Sequence, residues 1–133
     1  MTVVDASTVV AALLGTGDDG TWAEGVLERD TLAAPSVMHV EVASVLRRAS
    51  ARRSGSVSPD VASLAHRDLL KLQVEVFPYA PFAERIWELR HTVTPYDAWY
   101  VAVAEALGAP LATLDHRLTR ASGPRCTFVT PSV

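Results

Sequence analysis

Four carboxylates in this chain stand where short apolar runs end or where helices begin. Asp5 follows Thr2-Val3-Val4, Glu41 lies within the apolar segment from Val37 to Val45, Asp97 follows Thr94-Pro95-Tyr96, and Asp115 follows Leu111-Ala112-Thr113-Leu114. Hydroxyls accompany them at Ser7, Thr94 and Thr113. His39, His66, His91 and His116 show no metal-ligand spacing, although His116 directly follows Asp115, and Cys126 is the single cysteine. Carboxylate and hydroxyl oxygens are hard ligands, suited to Mg²⁺ or Mn²⁺ rather than Zn²⁺. Acids brought to one spot repel one another strongly unless divalent cations lie between them. Such a cluster points to hydrolysis of phosphate esters.

Each acid also has a plainer reading. Asp5 can open the first helix, sharing the capping with Ser7. Thr94, Pro95 and Asp97 fit the cap, first and third positions of a helix, where the Asp97 carboxylate can bond back to the Thr94 amide. Asp115 can cap a short helix, but it shares with Asp5 a place after a strand, and two such acids fall on the same edge of a parallel sheet. Glu41 is different in kind. On a helical wheel it lies between Val37 and Val45, beside Met38 and Ser44, inside the apolar stripe. An unpaired carboxylate there is costly to bury, so Glu41 needs a cation, a proton or a structural partnership with an arginine. Arg47-Arg48 and Arg52-Arg53 follow on the same predicted helix, where charge near a helix C-terminus explains them better than contact with an RNA backbone.

The elements that must position these groups alternate. Thr2-Val3-Val4 reads as a strand buried on both faces, followed by an acidic turn and a helix over Val9 to Leu14 that Ser7 caps and Gly15 stops. Thr16 to Gly20 reads as a polar turn, then come a helix around Trp22 to Leu27 and a strand at Leu32 to Ala34. Ser36 caps a long helix from Val37 to about Arg53, closed by Ser54-Gly55, and Ser58-Pro59-Asp60 opens another to about Leu72. Val74 to Phe77 alternates like a strand near an edge, Pro81 starts a helix with Phe82, Ile86 and Leu89 on one stripe, and Tyr96 to Leu107 is a helix apolar nearly all round, stopped by Gly108. Strands at Pro110 to Thr113 and Cys126 to Val129 flank a short helix around His116 to Arg120. This order predicts an α/β domain with a mainly parallel sheet.

Composition bounds the function. The 133 residues suit one domain, 1–133, and with 49% hydrophobic and 20% charged residues the chain has the balance of a folded protein. No apolar run approaches a membrane span, no basic region precedes the first apolar run as in a signal peptide, and one cysteine permits no internal disulfide, so a cytoplasmic protein is expected. A net charge of −3 argues against a generic nucleic-acid binder but does not exclude a nucleic-acid enzyme whose site acids bind cations. Among the 12 Lys and Arg residues only Lys71 is lysine, and arginine suits phosphate and carboxylate partners.

Taken in order, Val3-Val4-Asp5-Ala6-Ser7, the helical Glu41, Tyr96-Asp97-Ala98-Trp99-Tyr100-Val101-Ala102-Val103-Ala104 and Leu111-Ala112-Thr113-Leu114-Asp115-His116-Arg117-Leu118 resemble the PIN domain, and within it the VapC-type toxins of toxin–antitoxin pairs. The resemblance spans the whole chain. It implies a three-layer α/β/α sandwich, a Mg²⁺- or Mn²⁺-dependent endoribonuclease, and a cognate VapB-type antitoxin that blocks the site. It carries the acidic quartet onto Asp5, Glu41, Asp97 and Asp115 as catalytic residues and metal ligands, with Thr113 and Ser7 in support. Asp5 and Asp97 are then direct ligands, Asp115 a second-site or water-mediated ligand, and Glu41 a ligand or water orienter. Many relatives add an acid near the last motif, where this chain has His116.

Three rivals meet the same residues. A phosphatase forming an aspartyl-phosphate on Asp5 usually has a second acid two residues on, and that position is Ser7. A receiver-type domain needs paired acids on the first turn and a late lysine, which Lys71 does not supply. A catalytically silent PIN-like module binding RNA or protein would keep the acids as caps. Exposed Trp and Tyr side chains would favour a homodimer interface.

Overall fold

The structure, a computed structural model, describes residues 1–51 and 55–132. Five strands alternate with helices: β1 (Thr2–Val4), α1 (Ala6–Leu14), α2 (Gly17–Arg29), β2 (Leu32–Pro35), α3 (Met38–Ala49), α4 (Pro59–Lys71), β3 (Val74–Phe77), α5 (Ala83–Glu88), α6 (Pro95–Leu107), β4 (Leu111–Ala112), α7 (His116–Arg120) and β5 (Phe128–Val129). A 3₁₀ turn over Ala80–Phe82 leads into α5. The sheet order is β3-β2-β1-β4-β5 with every neighbouring pair parallel, in a three-layer α/β/α arrangement.

The order reverses between β1 and β4. At such a switch point the chain leaves adjacent strands in opposite directions, and a crevice opens outside their carboxyl ends. The turn after β1 carries Asp5 and the turn after β4 carries Asp115. The interior strands supply the core through Val3, Val4, Ala33, Ala34, Leu111 and Ala112, all buried, while β3 and β5 are half-exposed edges. Helix α6 lies along β1, β2 and β4, with Ala98 and every residue from Tyr100 to Ala104 buried. That accounts for a helix apolar on nearly all sides.

Several boundaries differ from the sequence reading, each for a local reason. Residues 17 to 20 are the first turn of α2 and not a polar turn. Gly20 is buried there because a Cβ would come within 2.7 Å of the Gly15 backbone, an approach only glycine allows. Helix α1 is capped by Asp5, whose extended backbone aims its carboxylate at the Thr8 amide; Ser7 already lies inside the first turn. Helix α3 begins at Met38 without a side-chain cap and ends at Ala49, so Ser36 does not cap it. Arg52, Arg53 and Ser54 lie outside the described residues. Leu89 falls just beyond α5, yet it is buried as its stripe predicts.

Candidate active site

Asp5 is built into the fold more deeply than any other acid. The residue is 7% exposed, and the two other buried polar residues among those described, Thr8 and Thr113, belong to the same spot. Oδ1 accepts from the Ser7 hydroxyl at 2.6 Å and from the Thr8 amide at 3.0 Å; Oδ2 accepts from the Thr113 hydroxyl. The donors themselves reach across to the turn after β4. Ser7 Oγ accepts from the Leu114 amide at 3.1 Å, Thr113 Oγ1 accepts from the Asp115 amide at 2.9 Å, and Thr8 Oγ1 donates to the Ala112 carbonyl at 3.0 Å. Asp5 therefore stitches the two turns at the switch point together. Burial pushes its pKa up, and the hydrogen bonds from Ser7, Thr113 and Thr8 oppose that push without reversing it.

The other three acids are held more loosely. Asp97 is half-buried in the first turn of α6, where Thr94 Oγ1 accepts from the Asp97 amide at 3.3 Å. The reciprocal bond from the Thr94 amide to the carboxylate, expected of a capping box, is not among the hydrogen bonds of the described residues. Asp115 caps α7, its Oδ1 accepting from the amides of Arg117 at 2.9 Å and Leu118 at 3.3 Å. Asp97 and Asp115 line one cavity of about 290 Å³, which Arg117 also borders. Glu41 borders a separate groove of about 400 Å³ with Tyr96, Ser44 and Arg48.

Where an arginine was one of the partners open to Glu41, the structure supplies a tyrosine. The Tyr100 hydroxyl donates to Glu41 Oε1 at 2.6 Å across a sequence separation of 59 residues. Burial pushes the Glu41 pKa up, the Tyr100 bond pulls it down, and the charges of Asp97 and Asp5 push it up again, leaving it raised. Asp97 is also raised, by burial first and then by the charges of Asp115 and Asp5. Burial, Glu41 and the neighbouring acids push the Tyr100 phenol up as well, so it stays protonated and remains a donor. Tyr100 is the site residue that the sequence reading missed. Its signal was a tyrosine three residues after Asp97, hence on the same helical face, in a helix too buried to leave a phenol without a partner.

The structure thus brings Asp5, Glu41, Asp97 and Asp115 to one edge, close enough that Glu41 feels the charges of Asp97 and Asp5, and Asp97 those of Asp115 and Asp5. It does not assemble a finished ligand cage: among the described residues no three Asp, Glu, His or Cys side chains converge enough to hold an ion. The donor set nevertheless fits a hard cation. Its atoms are carboxylate and hydroxyl oxygens, and mutual repulsion raises two of the acids further than burial alone. Two larger cavities lie elsewhere, one lined at the amino ends of β2 and β3 and one between the end of α6 and the stretch before β5. Neither contains any of the four acids.

The PIN domain family model matches residues 2–124. Ribonuclease VapC1 of Mycobacterium tuberculosis is 42% identical over 125 residues, covering 93% of this chain and 92% of its own. Among solved structures, VapC20 of Mycobacterium tuberculosis, a sarcin–ricin loop cleaving toxin, superposes with a TM-score of 0.67 at 20% identity, covering 90% of this chain and 93% of that one. VapBC2 from Rickettsia felis, bound to a DNA fragment from its promoter, gives a TM-score of 0.67 at 16% identity, with 98% of both chains covered.

Proposed function

The chain belongs to the PIN domain family, and on that premise we propose that it is an endoribonuclease, dependent on Mg²⁺ or Mn²⁺, acting as the toxin of a VapBC-type toxin–antitoxin pair. The observation that carries the reading is the charge balance at the switch point. Asp5, Glu41 and Asp97 are all raised in pKa, and no Lys, Arg or His forms an ion pair with any of them among the described residues. A curated relative named a ribonuclease, 42% identical over nearly the whole chain, supports the activity.

Asp5, Asp97, Asp115 and Glu41 would hold the cation. An ion held there would supply positive charge for the scissile phosphate and lower the pKa of a bound water. Asp5 is anchored by Ser7, Thr8 and Thr113, so it is the fixed point against which the others close. Asp97 and Asp115 frame the cavity in which a phosphodiester can sit, with Arg117 at its rim to meet a neighbouring phosphate. Glu41 holds or orients the attacking water from the α3 side. The test is cleavage of single-stranded RNA by the purified chain in Mn²⁺ and in EDTA. Activity with the ion, lost with the chelator, is expected; no cleavage in either would favour the silent binding module.

The partner reading follows from the same charge. An acidic pocket favours an antitoxin that inserts a basic side chain, a role suited to arginine's planar fork. Expression of the chain alone should arrest growth, and an antitoxin stripped of every basic residue in its inhibitory segment should bind distinctly more weakly. A homodimer is supported by the exposure of Trp87, Tyr96 and Tyr79 at 62%, 59% and 45%. Sedimentation of the purified chain tests it. Among the described residues no helix is long and apolar enough to cross a membrane, and the cytoplasm, where the RNA is, is the proposed place of action.

A further inference from the structure

We propose that Tyr100 is a positioning residue for Glu41: its buried hydroxyl grips one oxygen of that carboxylate and fixes how the acid is presented to the site. The inference rests on the reading of Glu41 as a site acid and adds a residue to it.

The geometry is specific. Tyr100 is 1% exposed, so it touches neither solvent nor substrate, and it is among the largest fully buried side chains of the molecule. Phenylalanine would fill the same space. What tyrosine adds is a hydroxyl, and a buried hydroxyl is kept only where it has a partner. Here the partner is Glu41 Oε1 at 2.6 Å, on a different helix. Tyr100 lies three residues beyond Asp97 on α6, so the bond ties the α3 acid to the helical face that bears the α6 acid.

The choice of donor matters chemically. Glutamate has three rotatable side-chain bonds and is costly to hold in one pose. An arginine or lysine in place of Tyr100 would hold it equally well but would neutralise it. The protonated phenol occupies one oxygen, leaves the negative charge in place and leaves Oε2 for another partner. A tether of this kind restrains an acid without spending the charge that a cation requires.

The test compares wild type, Tyr100→Phe, Glu41→Gln and the double variant. Free Mn²⁺ is measured by electron paramagnetic resonance on the purified proteins, and kcat and KM on a single-stranded RNA. Groups that orient a ligand are typically worth 10- to 100-fold in metal affinity or activity. Tyr100→Phe should therefore weaken Mn²⁺ binding roughly tenfold and lower kcat by a similar factor, with KM unchanged because Tyr100 cannot reach the RNA. Added to Glu41→Gln, whose neutral amide is a much weaker ligand, it should cost distinctly less than it does in the wild type. If Glu41→Gln weakens Mn²⁺ binding while Tyr100→Phe leaves it at the wild-type value, whatever its melting temperature, the positioning role is overturned and the site reading stands. An undiminished Tyr100→Phe effect in the Glu41→Gln background would also overturn it, since Tyr100 would then act through another group. Silence of both single variants would remove Glu41 from the site and Tyr100 with it. Glu41→Asp repeats the test should Tyr100→Phe fold poorly, because it keeps the charge but withdraws it from the hydroxyl. It should weaken Mn²⁺ binding comparably, and wild-type affinity in that variant would overturn the proposal.

Discussion

Helix α6 carries one acid in its first turn and another in its last, and the molecule treats them in opposite ways. The helix field favours negative charge at Asp97 and disfavours it at Glu105. The pKa directions run against the field: Asp97 is raised and Glu105 is lowered. Burial alone would push Glu105 up, but Arg85 donates to both its oxygens at 2.7 and 3.1 Å and the Arg125 amide adds a bond at 2.7 Å. Arg85 also donates to the Gly123 carbonyl at 2.9 Å, so this pair pins the stretch before β5 to α5 and α6. Around Asp97 the first neighbours in charge are Asp115 and Asp5. Where an acid serves the fold, the chain supplies its cation. Where acids gather at the switch point, the one cation paired with any of them among the described residues is the exposed Arg117, 3.9 Å from Asp115, and Asp97 stays raised beside it; the proposed metal ion would come from outside.

The contrast breaks most sharply in catalysis. Asp97→Asn and Asp5→Asn keep shape and remove a negative oxygen, so RNA cleavage in Mn²⁺ should fall by orders of magnitude, whereas Glu105→Gln should cleave at close to the wild-type rate. Asn variants as active as wild type would sink the site assignment.

Metal response comes next. At a hundredfold excess over its dissociation constant, Mn²⁺ should stabilise the wild type by about 2.7 kcal/mol by mass action. Glu41→Gln, which can still accept from Tyr100, should match or exceed wild type in EDTA yet gain distinctly less from Mn²⁺. Thermal unfolding of both proteins in both buffers reads the difference. A Gln variant that melts well below wild type in EDTA, with no metal response in either protein, would make Glu41 a structural residue.

At the other end of α6 the expected loss is purely structural. The Arg85 and Glu105 side chains are 21% and 17% exposed, so their pair is well shielded. Glu105→Ala strands Arg85 and should cost about 2 kcal/mol, in the range for hydrogen bonds to charged groups. The Mn²⁺ increment should survive intact; an increment that vanished with the pair would show the two ends of α6 to be coupled.

The smallest effect is the pH slope. Asp5, Glu41 and Asp97 have folded pKa values raised above 3.8, 4.5 and 3.8, so across that window the native state binds more protons than the unfolded chain. Their contribution is greatest at low pH and is lost as pH rises through the raised folded values. Glu105 has the opposite sign, its stabilisation being lost as pH falls through its lowered folded value. In EDTA, Asp5→Asn should therefore lose less stability than wild type between pH 5 and pH 7, and denaturant titrations at the two pH values should resolve it. Equal slopes would mean that Asp5 does not titrate between those two pH values in the fold.

Most of the architecture was legible because it is encoded locally. Val-rich runs, the Pro-bearing first turns of α4 and α6 and the stops at Gly15 and Gly108 announce strands and helices within a few residues. Asp5, Asp97 and Asp115 stood out for the same reason, each marking the start of a helix. Glu41 announced itself by breaking an apolar stripe. What the sequence could not name was the partner of each buried polar group. Thr113 reaches Asp5 over 108 residues, Tyr100 reaches Glu41 over 59, and Arg85 reaches Glu105 over 20. The helical turn at Gly17 to Gly20 also depended on how closely it approaches the end of α1. Periodicity reports which face of an element is apolar, and that much the sequence determined alone. A hydrogen bond forms only when packing brings two particular atoms within about 3 Å, and only the tertiary structure decides which two they are.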